Sequence, residues 1–145
     1  MATVNIYLTF NGNCEKAFNF YQSVFGGEFN YVARYNEMPP QEGMPPMSED
    51  DKNRLMHIGL PISKETILMG ADNIQNYESH TTFGNNFSIM ATGNSKEDAD
   101  RIFNALAADG RITMAIADQF WGDYMGMLVD KFGISWLVTY ELPKG

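Results

Sequence analysis

Two segments of this chain repeat one pattern: NIYLTFNGNCEKAFNFYQSVFGG (residues 5–27) and NFSIMATGNSKEDADRIFNALAADG (residues 86–110). Polar turn residues match polar ones, and apolar residues match apolar ones, at a separation of 81 or 82 positions. The matched positions are Asn5, Gly12, Asn13, Ala17, Phe20, Tyr21 and Val24 in the first segment, and Asn86, Gly93, Asn94, Ala99, Ile102, Phe103 and Leu106 in the second. Such an internal repeat predicts one fold built from two similar modules.

Each module has the pattern of a strand, a helix and three further strands. Apolar residues at helical spacing predict the helices, with a cap at Asn13 in the first and at Asn94 or Ser95 in the second. Runs of β-forming residues predict strands at 4–10, 28–35, 54–62 and 66–70, and later at 111–117, 124–129 and 135–141. We therefore predict an α+β fold, in which two βαβββ modules form paired curved mixed sheets around a central groove.

The chain length bounds the domain organisation. A chain of 145 residues is long enough for one full hydrophobic core and too short for two ordinary domains. We predict a single domain, with module one at about residues 1–72, a linker at about residues 73–85 and module two at about residues 86–145.

The first module contains an additional segment, residues 36–53. It carries four prolines and an acidic run without periodicity, which predicts a loop. A long loop in a compact domain is either a solvated segment or a lid over a binding site, and Met38, Met44 and Met47 would suit an adaptable lid. Both interpretations stay open.

Composition excludes some classes of partner. The net charge is −8, with ten basic and eighteen acidic residues, which argues against binding to nucleic acid. No apolar run approaches the length of a membrane span, and the first ten residues do not resemble a signal peptide. We expect a cytoplasmic protein with no membrane partner. The lone Cys14 has no partner for an internal disulfide and is assigned a structural role.

Alternation along the strands assigns side chains to faces of the first sheet. In strand 54–62, the residues predicted to face the helix are Met56, Ile58, Leu60 and Ile62, with Leu55, His57 and Gly59 opposite. In strand 28–35, Phe29, Tyr31 and Tyr35 share one face, and Asn30, Val32 and Arg34 share the other. The groove is then predicted to be lined by Arg34, His57 and their counterparts Ala117 and Gly126.

Four residues are candidates for contact with a ligand: Arg34, His57, Trp121 and Tyr124. The His57 ring can exchange a hydrogen bond or a proton with a ligand, or it can be a wall residue satisfied within the protein. The indole of Trp121 can stack on a flat ligand or pack internally, and Tyr124 has the same two interpretations. Arg34 can hold an anionic group or pair with a loop carboxylate.

Three further residues have structural interpretations. Trp136 alternates to the helix side of its strand and is assigned to the core. Asp123 and Asp130 flank glycines in turn sequences, and capping of the turn backbone explains them better than paired-carboxylate catalysis.

Motif blocks in both modules resemble a known superfamily. They are Phe10-Asn11-Gly12-Asn13, Ala17, Phe20-Tyr21 and Phe25-Gly26-Gly27-Glu28 in the first module, and Phe120-Trp121-Gly122-Asp123, Gly126, Asp130, Phe132-Gly133 and Trp136 in the second. Together they resemble the PhnB-like branch of the glyoxalase/bleomycin-resistance/dioxygenase (vicinal oxygen chelate) superfamily. The resemblance covers nearly the whole chain and implies the same fold and a homodimer. It leaves the activity open, because this superfamily includes lyases, isomerases, dioxygenases, thiol transferases and antibiotic-sequestering proteins.

The resemblance also implies where a metal would bind. Enzymes of the superfamily hold a divalent metal through side chains of the first and last strands of each module. The repeat puts these positions at Ile6, Phe87, Leu68 and Leu137, all of them apolar, and a slip of one residue brings in Asn5, Asn86, Ile67 and Trp136, which are no better ligands. Ile134 stands where relatives often carry a histidine. We expect no metal, no other cofactor and no catalytic residue of the usual kind.

The leading hypothesis is therefore a metal-free small-molecule-binding protein of the PhnB-like type, with an apolar or aromatic ligand. One alternative is a metal-dependent lyase, isomerase or dioxygenase that uses His57 and a metal bound in a non-standard way. Another is an antibiotic-sequestering protein, whose acidic surface would attract a cationic drug.

Overall fold

The computed structural model describes residues 1–39, 42–43, 46–74 and 81–142. It divides into two compact units, Met1–Thr82 and Phe83–Gly145. Each unit is built on one four-stranded sheet. Within the described ranges, no helix is long and apolar enough to span a membrane.

The two units repeat one topology. The first contains β1 (Ile6–Phe10), α1 (Cys14–Phe25), β2 (Tyr31–Arg34), α2 (Glu49–Asn53), β3 (Leu55–Pro61) and β4 (Ile67–Asp72), with strand order β1-β4-β3-β2. The second contains β5 (Ile89–Thr92), α3 (Lys96–Ala107), β6 (Arg111–Asp118), β7 (Asp123–Val129) and β8 (Ser135–Glu141), with strand order β5-β8-β7-β6. The first and last strands of each unit are parallel and the other pairs antiparallel. The predicted α+β fold with a repeated βαβββ pattern is confirmed.

Helices α1 and α3 each bury an apolar stripe. The buried residues of α1 are Cys14, Ala17, Phe18, Tyr21 and Val24, and those of α3 are Ala99, Ile102, Phe103 and Leu106. The Phe18 ring meets Phe10 of β1 edge-on, with ring centroids 6.4 Å apart. This packing gives each unit its own core, and Trp136 is buried in the second, as predicted.

The two helices begin differently. Ser95 caps α3 through its Oγ, which accepts a hydrogen bond from Asp98 N at 3.0 Å. Asn13 occupies the predicted cap position of α1, but its side chain makes no capping hydrogen bond.

The carboxylate of Asp72, at the end of β4, supplies this cap from a distant part of the chain. Its Oδ1 accepts hydrogen bonds from Gly12 N at 3.0 Å and Cys14 N at 2.9 Å, and its Oδ2 accepts one from Leu55 N at 3.0 Å. Asp72 is only 2% exposed. One buried side chain therefore joins the start of α1, the start of β3 and the end of β4.

An irregularity in the β2–β3 pairing changes the faces that alternation predicts. Ala33 is opposite His57, but the next residue, Arg34, is opposite Leu55, so Met56 is an extra residue in β3. Leu55 is consequently fully buried in the core. Its predicted place on the same face as His57 is wrong.

The same pairing corrects the faces of β2. Tyr31 is opposite Gly59, and Val32 is opposite Ile58. Residues directly opposite each other in a sheet share a face, so Tyr31 lies on the face of Gly59 and Val32 lies on the other. The alternation predicted within β2 holds, but its phase relative to β3 is wrong.

The prediction of a structureless segment at residues 36–53 is wrong at both ends. A turn of 3-10 helix covers Tyr35–Glu37, and α2 covers Glu49–Asn53. Ser48 caps α2 by accepting a hydrogen bond from Asp51 N at 3.1 Å. Met44 lies outside the described residues, and a lid over a binding site stays a prediction.

We expect Asp72→Ala to lower the free energy of unfolding by about 3 kcal/mol, because it leaves three backbone N–H groups without their acceptor. Chemical denaturation followed by fluorescence measures this change. Asp109→Asn is the matched control, since Asp109 is exposed with a φ of 58°, a backbone conformation that asparagine tolerates. An Asp72→Ala protein as stable as the control would show that Asp72 does not hold these elements together.

Candidate functional site

The face of the first sheet that points away from α1 carries two tyrosines and a histidine. The ring centroid of His57 lies 5.8 Å from that of Tyr7 and 5.4 Å from that of Tyr31. Both tyrosines are 53% exposed. We call Tyr7, Tyr31 and His57 the tyrosine–histidine face.

Strand register produces this arrangement. Tyr7 is opposite Met69, Met69 is opposite Gly59, and Gly59 is opposite Tyr31, so one row of side chains crosses all four strands. The residue after Met69, Gly70, faces α1, because a Cβ there would collide with the Phe18 ring. The row and His57, two residues before Gly59, therefore lie on the opposite side of the sheet.

Asn30 adds a polar group to the tyrosine–histidine face. A Cβ on Gly59 would collide with the Asn30 carboxamide oxygen, so this side chain lies over the glycine. The Asn30 backbone N–H also donates to Gly59 O at 3.0 Å, which fixes the start of β2 against β3. The absence of a side chain at residue 59 thus gives Asn30 its place beside the rings.

This arrangement can bind a flat molecule and orient it. Tyrosine rings offer apolar area for stacking, and their hydroxyls, the imidazole and the carboxamide offer hydrogen bonds. Burial raises the pKa of Tyr7, with a smaller contribution from Cys14, so its phenol stays protonated and can donate a hydrogen bond at neutral pH.

Arg34 lies away from this face, in an ion pair with α1. Its Nη1 and Nη2 donate to the two carboxylate oxygens of Glu15 at 3.2 and 2.6 Å, and Nη1 also donates to Asn53 O at 2.9 Å. The hydrogen bond to Glu15 raises the pKa of Arg34 further. The predicted position beside His57 is wrong, because Ala33 is the residue opposite His57 and Arg34 therefore lies on the other face of the sheet. A role in ligand binding stays a prediction.

Tyr124, at the start of β7, contacts α3. Its hydroxyl donates a hydrogen bond to Asp100, and Lys96 Nζ lies 4.6 Å from its ring centroid. Lys96 also forms an ion pair with Asp118 at 3.0 Å. The hydrogen bond to Asp100, followed by burial, raises the pKa of Tyr124 to about 12. The Tyr124 hydroxyl is therefore already hydrogen-bonded within the protein, and its contact with a ligand stays a prediction.

Trp121 lies in the turn between β6 and β7. It is 51% exposed, and the neighbouring Phe120 is 97% exposed, with their rings edge-to-face at a centroid distance of 5.0 Å. The indole Nε1 donates to Asp123 Oδ2 at 2.9 Å. Trp121 thus presents an open ring surface in the second unit, and its stacking on a ligand stays a prediction.

The acidic turn residues differ in their contacts. Asp130 accepts hydrogen bonds from the backbone N–H groups of Phe132 and Ile134 at 2.8 and 3.1 Å, which confirms the predicted turn capping. Its Oδ2 also accepts a hydrogen bond from the Trp136 indole at 2.8 Å. Asp123 holds the indole of Trp121.

The groove positions predicted for the second unit do not share a face. Ala117 is opposite Met125, whereas Gly126 is opposite the fully buried Val138. Two irregularities in the β6–β7 pairing lie in this region, so repeat spacing alone could not locate the faces. The predicted place of Gly126 in the groove lining is wrong.

The side chains at the positions where the resemblance implies a metal are not suitable metal ligands. Ile6 and Leu68 are opposite each other, and Leu68 is fully buried on the helix side of the sheet. The residues at those strand positions that face away from α1 are Tyr7 and Met69, neither of which supplies a carboxylate or an imidazole. Across the described part of the chain, no group of three or more His, Cys, Asp or Glu side chains is placed to hold a metal ion.

Sequence reasoning missed Tyr7 and assigned Tyr31 to the wrong face. The alternation of Ile6, Leu8 and Phe10 with Tyr7 already separates Tyr7 from the apolar face of β1. For Tyr31, alternation within β2 does not reveal which face it shares with β3, and only the pairing of Tyr31 with Gly59 shows that this is the face of His57.

Known proteins share the fold and the family of this chain. The fold is found in solved structures that are less than 25% identical to it. One of them is a glyoxalase/bleomycin resistance protein/dioxygenase family enzyme from Burkholderia phytofirmans PsJN, with a TM-score of 0.58 over 97% of both chains. Residues 2–139 match the family model described as 3-demethylubiquinone-9 3-methyltransferase. The chain belongs to this family, the PhnB-like branch of the glyoxalase/bleomycin resistance/dioxygenase superfamily.

Individual relatives agree with this assignment. Protein YjdN of Escherichia coli K12 is 30% identical over 92% of this chain and 91% of its own. Protein PA1353 from Pseudomonas aeruginosa is 32% identical, with a TM-score of 0.81 over 99% of this chain and 100% of that chain. A putative 3-demethylubiquinone-9 3-methyltransferase, PhnB protein, from Bacillus cereus is 27% identical, with a TM-score of 0.74 over 98% and 100%.

We expect Asp100→Asn to lower the pKa of Tyr124 from about 12 toward its ordinary value of 10.0, because the carboxylate that holds the phenolic proton is lost. The absorbance of phenolate at alkaline pH, taken as the difference between each protein and its Tyr124→Phe variant, measures this pKa. Because the folded-state pKa is raised, the contact stabilises the fold fully below the unfolded pKa and is lost as the pH rises through about 12. Asp109→Asn should leave the titration unchanged, and a Tyr124 that titrates near 10 in the unaltered protein would contradict the role of Asp100.

Proposed function

We propose that this protein binds a flat apolar or aromatic small molecule on the tyrosine–histidine face, without a divalent metal. The observation that carries the proposal is the placement of His57 between two half-exposed tyrosines, with ring centroids 5.8 and 5.4 Å away. Membership of the PhnB-like family supports a small-molecule function in general and leaves the ligand open.

Aromatic contact supplies the affinity in this proposal. Tyr7 and Tyr31 each expose about half of their surface, so a bound ring removes apolar area from water at both. A well-placed aromatic pair adds about 0.5–1.5 kcal/mol beyond the area that it buries. The His57 ring and the Asn30 carboxamide then fix the orientation of the ligand by hydrogen bonds.

The donor set supports binding without a divalent metal. Such metals prefer carboxylate, imidazole and other oxygen or nitrogen donors, and His57 has two tyrosines as its ring neighbours. We therefore assign His57 a ligand contact. The rival proposal is an enzyme of the same superfamily in which His57 binds a metal in a non-standard way.

The family model is described as a methyltransferase, but our proposal does not include methyl transfer. The turn between β1 and α1 is Asn11-Gly12-Asn13, which lacks the run of glycines that lets a backbone approach a nucleotide closely. Its Gly12 N–H is used by Asp72. We propose binding as the function and leave methyl transfer out.

Sequestration of a toxic compound is the second candidate. The net charge of −8 favours a cationic ligand by long-range attraction, and a sequestering protein needs affinity without turnover. A thermal-shift screen for ligands distinguishes this candidate function, because a sequestering protein would bind a cationic compound and release it chemically unchanged. On the family resemblance, we also propose that the protein is cytoplasmic and forms a homodimer. Sedimentation at several protein concentrations tests the dimer.

We expect Tyr7→Leu, Tyr31→Leu and His57→Ala each to weaken, by about fivefold to tenfold, the binding of a planar aromatic compound found by a thermal-shift screen, because each removes a contact of roughly 1 kcal/mol. Calorimetric titration measures the dissociation constants. Val32→Ala is the matched control, since Val32 adjoins Tyr31, is also exposed and lies on the other face.

The same titration tests the other sequence-predicted contacts through Arg34→Gln, Trp121→Leu and Tyr124→Phe. Unchanged affinity in a variant removes that residue from the site. If Val32→Ala weakens binding as much as the three variants of the tyrosine–histidine face, the ligand does not bind there.

We expect purified protein, after exposure to zinc, nickel, manganese or iron, to retain only substoichiometric metal, because the expected ligand positions are not occupied by metal donors. Elemental analysis after gel filtration measures the content. A stoichiometric divalent ion that disappears in His57→Ala would overturn the proposal in favour of the metal-dependent enzyme.

A further inference from the structure

The second sheet carries a cluster of methionines on the face that points away from α3. Met127 of β7 is opposite Met114 of β6, and Met125 lies two residues before Met127 on the same face. We call Met114, Met125 and Met127 the thioether cluster. Met90 of β5 belongs to the same row across the sheet, because Met127 and Met90 are both opposite Leu137.

Burial identifies the face on which the cluster lies. The residues that alternate with it, Leu128 in β7 and Trp136 and Val138 in β8, are buried in the core with α3. The three side chains of the thioether cluster are only partly buried, and Met90 is 65% exposed. These thioethers therefore lie on an accessible surface of their unit.

We propose that the thioether cluster is a binding site for a soft monovalent cation of the Cu(I) or Ag(I) class. Thioether sulfur is a soft donor that binds Cu(I) and has little affinity for hard divalent ions. Directly opposed residues in a sheet have Cβ atoms about 4.5–5.5 Å apart, a spacing from which two flexible methionine side chains can bring their sulfurs to one ion.

The charges around the cluster are compatible with a cation. Asp123 and Glu141 are opposite each other one row beyond Met125, on the same face of the sheet. Arg111 lies at the other end of the face, opposite Val129. The two carboxylates favour a positive ion near Met125, and the positive charge of Arg111 opposes it from the far end of the face.

This site is separate from the proposed function. Its ligands are in the second unit, whereas the tyrosine–histidine face is in the first. It also differs in chemistry from the divalent metal that the superfamily's enzymes use, so the outcome of the zinc and manganese test has no bearing on it.

The test is titration of the full chain with Ag(I), and with Cu(I) under reducing anaerobic conditions against a chromophoric Cu(I) chelator. All proteins carry Cys14→Ser, because the thiol is the competing soft donor, although it is buried and burial raises its pKa. We expect one equivalent of ion to bind, and the methyl resonances of the thioether cluster to shift while that of Met56 does not. Met127→Leu and Met114→Leu should each weaken binding by at least about tenfold.

Met56→Leu is the matched control, since it makes the same change in the first unit. Leucine and methionine have similar volume, so loss of binding in Met127→Leu with an unchanged thermal midpoint reports the lost sulfur. Binding that survives both Met127→Leu and Met114→Leu, or no binding of either ion, would overturn the proposal.

Discussion

The fold of the first unit depends on one buried carboxylate. Asp72 accepts hydrogen bonds from the backbone N–H groups of Gly12, Cys14 and Leu55, which precede it in the chain by 60, 58 and 17 residues. Desolvation raises the pKa of Asp72, while these hydrogen bonds and Arg54 oppose the shift. The charge is tolerated inside the protein because each oxygen has a partner. The position of α1 over the sheet, and so the choice of which face stays open, follows from this contact.

In the second unit, the buried aspartate stabilises a turn between two strands, not the start of the helix. Asp130 holds the turn between β7 and β8 through Phe132 and Ile134, and it fixes the Trp136 indole in the core. The helix of this unit is capped locally by Ser95 instead. The repeat therefore preserves the topology and the apolar stripes, whereas the polar contacts that fix each unit have diverged.

Much of the fold could be predicted because it depends on local pattern. Apolar spacing located α1 and α3, and alternation separated Trp136 from the open face. The phase between strands could not be predicted. The extra residue Met56 moves Leu55 into the core, and the pairing of Tyr31 with Gly59 places Tyr31 on the face of His57. Arg34 was predicted as a ligand contact from strand alternation and residue type, and Tyr124 from residue type. Their partners Glu15 and Asp100 lie on helices that only the tertiary structure brings close.

The order of strands has a consequence for synthesis of the chain. In each sheet the last strand made is an inner one, with β4 between β1 and β3, and β8 between β5 and β7. During synthesis on the ribosome, β1 has no strand to pair with until β4 emerges, because β1 pairs with β4, with Ile6 opposite Leu68. The sheet of each nascent unit thus cannot close until its final strand arrives, and such non-local pairing slows folding and leaves the partly formed sheet exposed during synthesis.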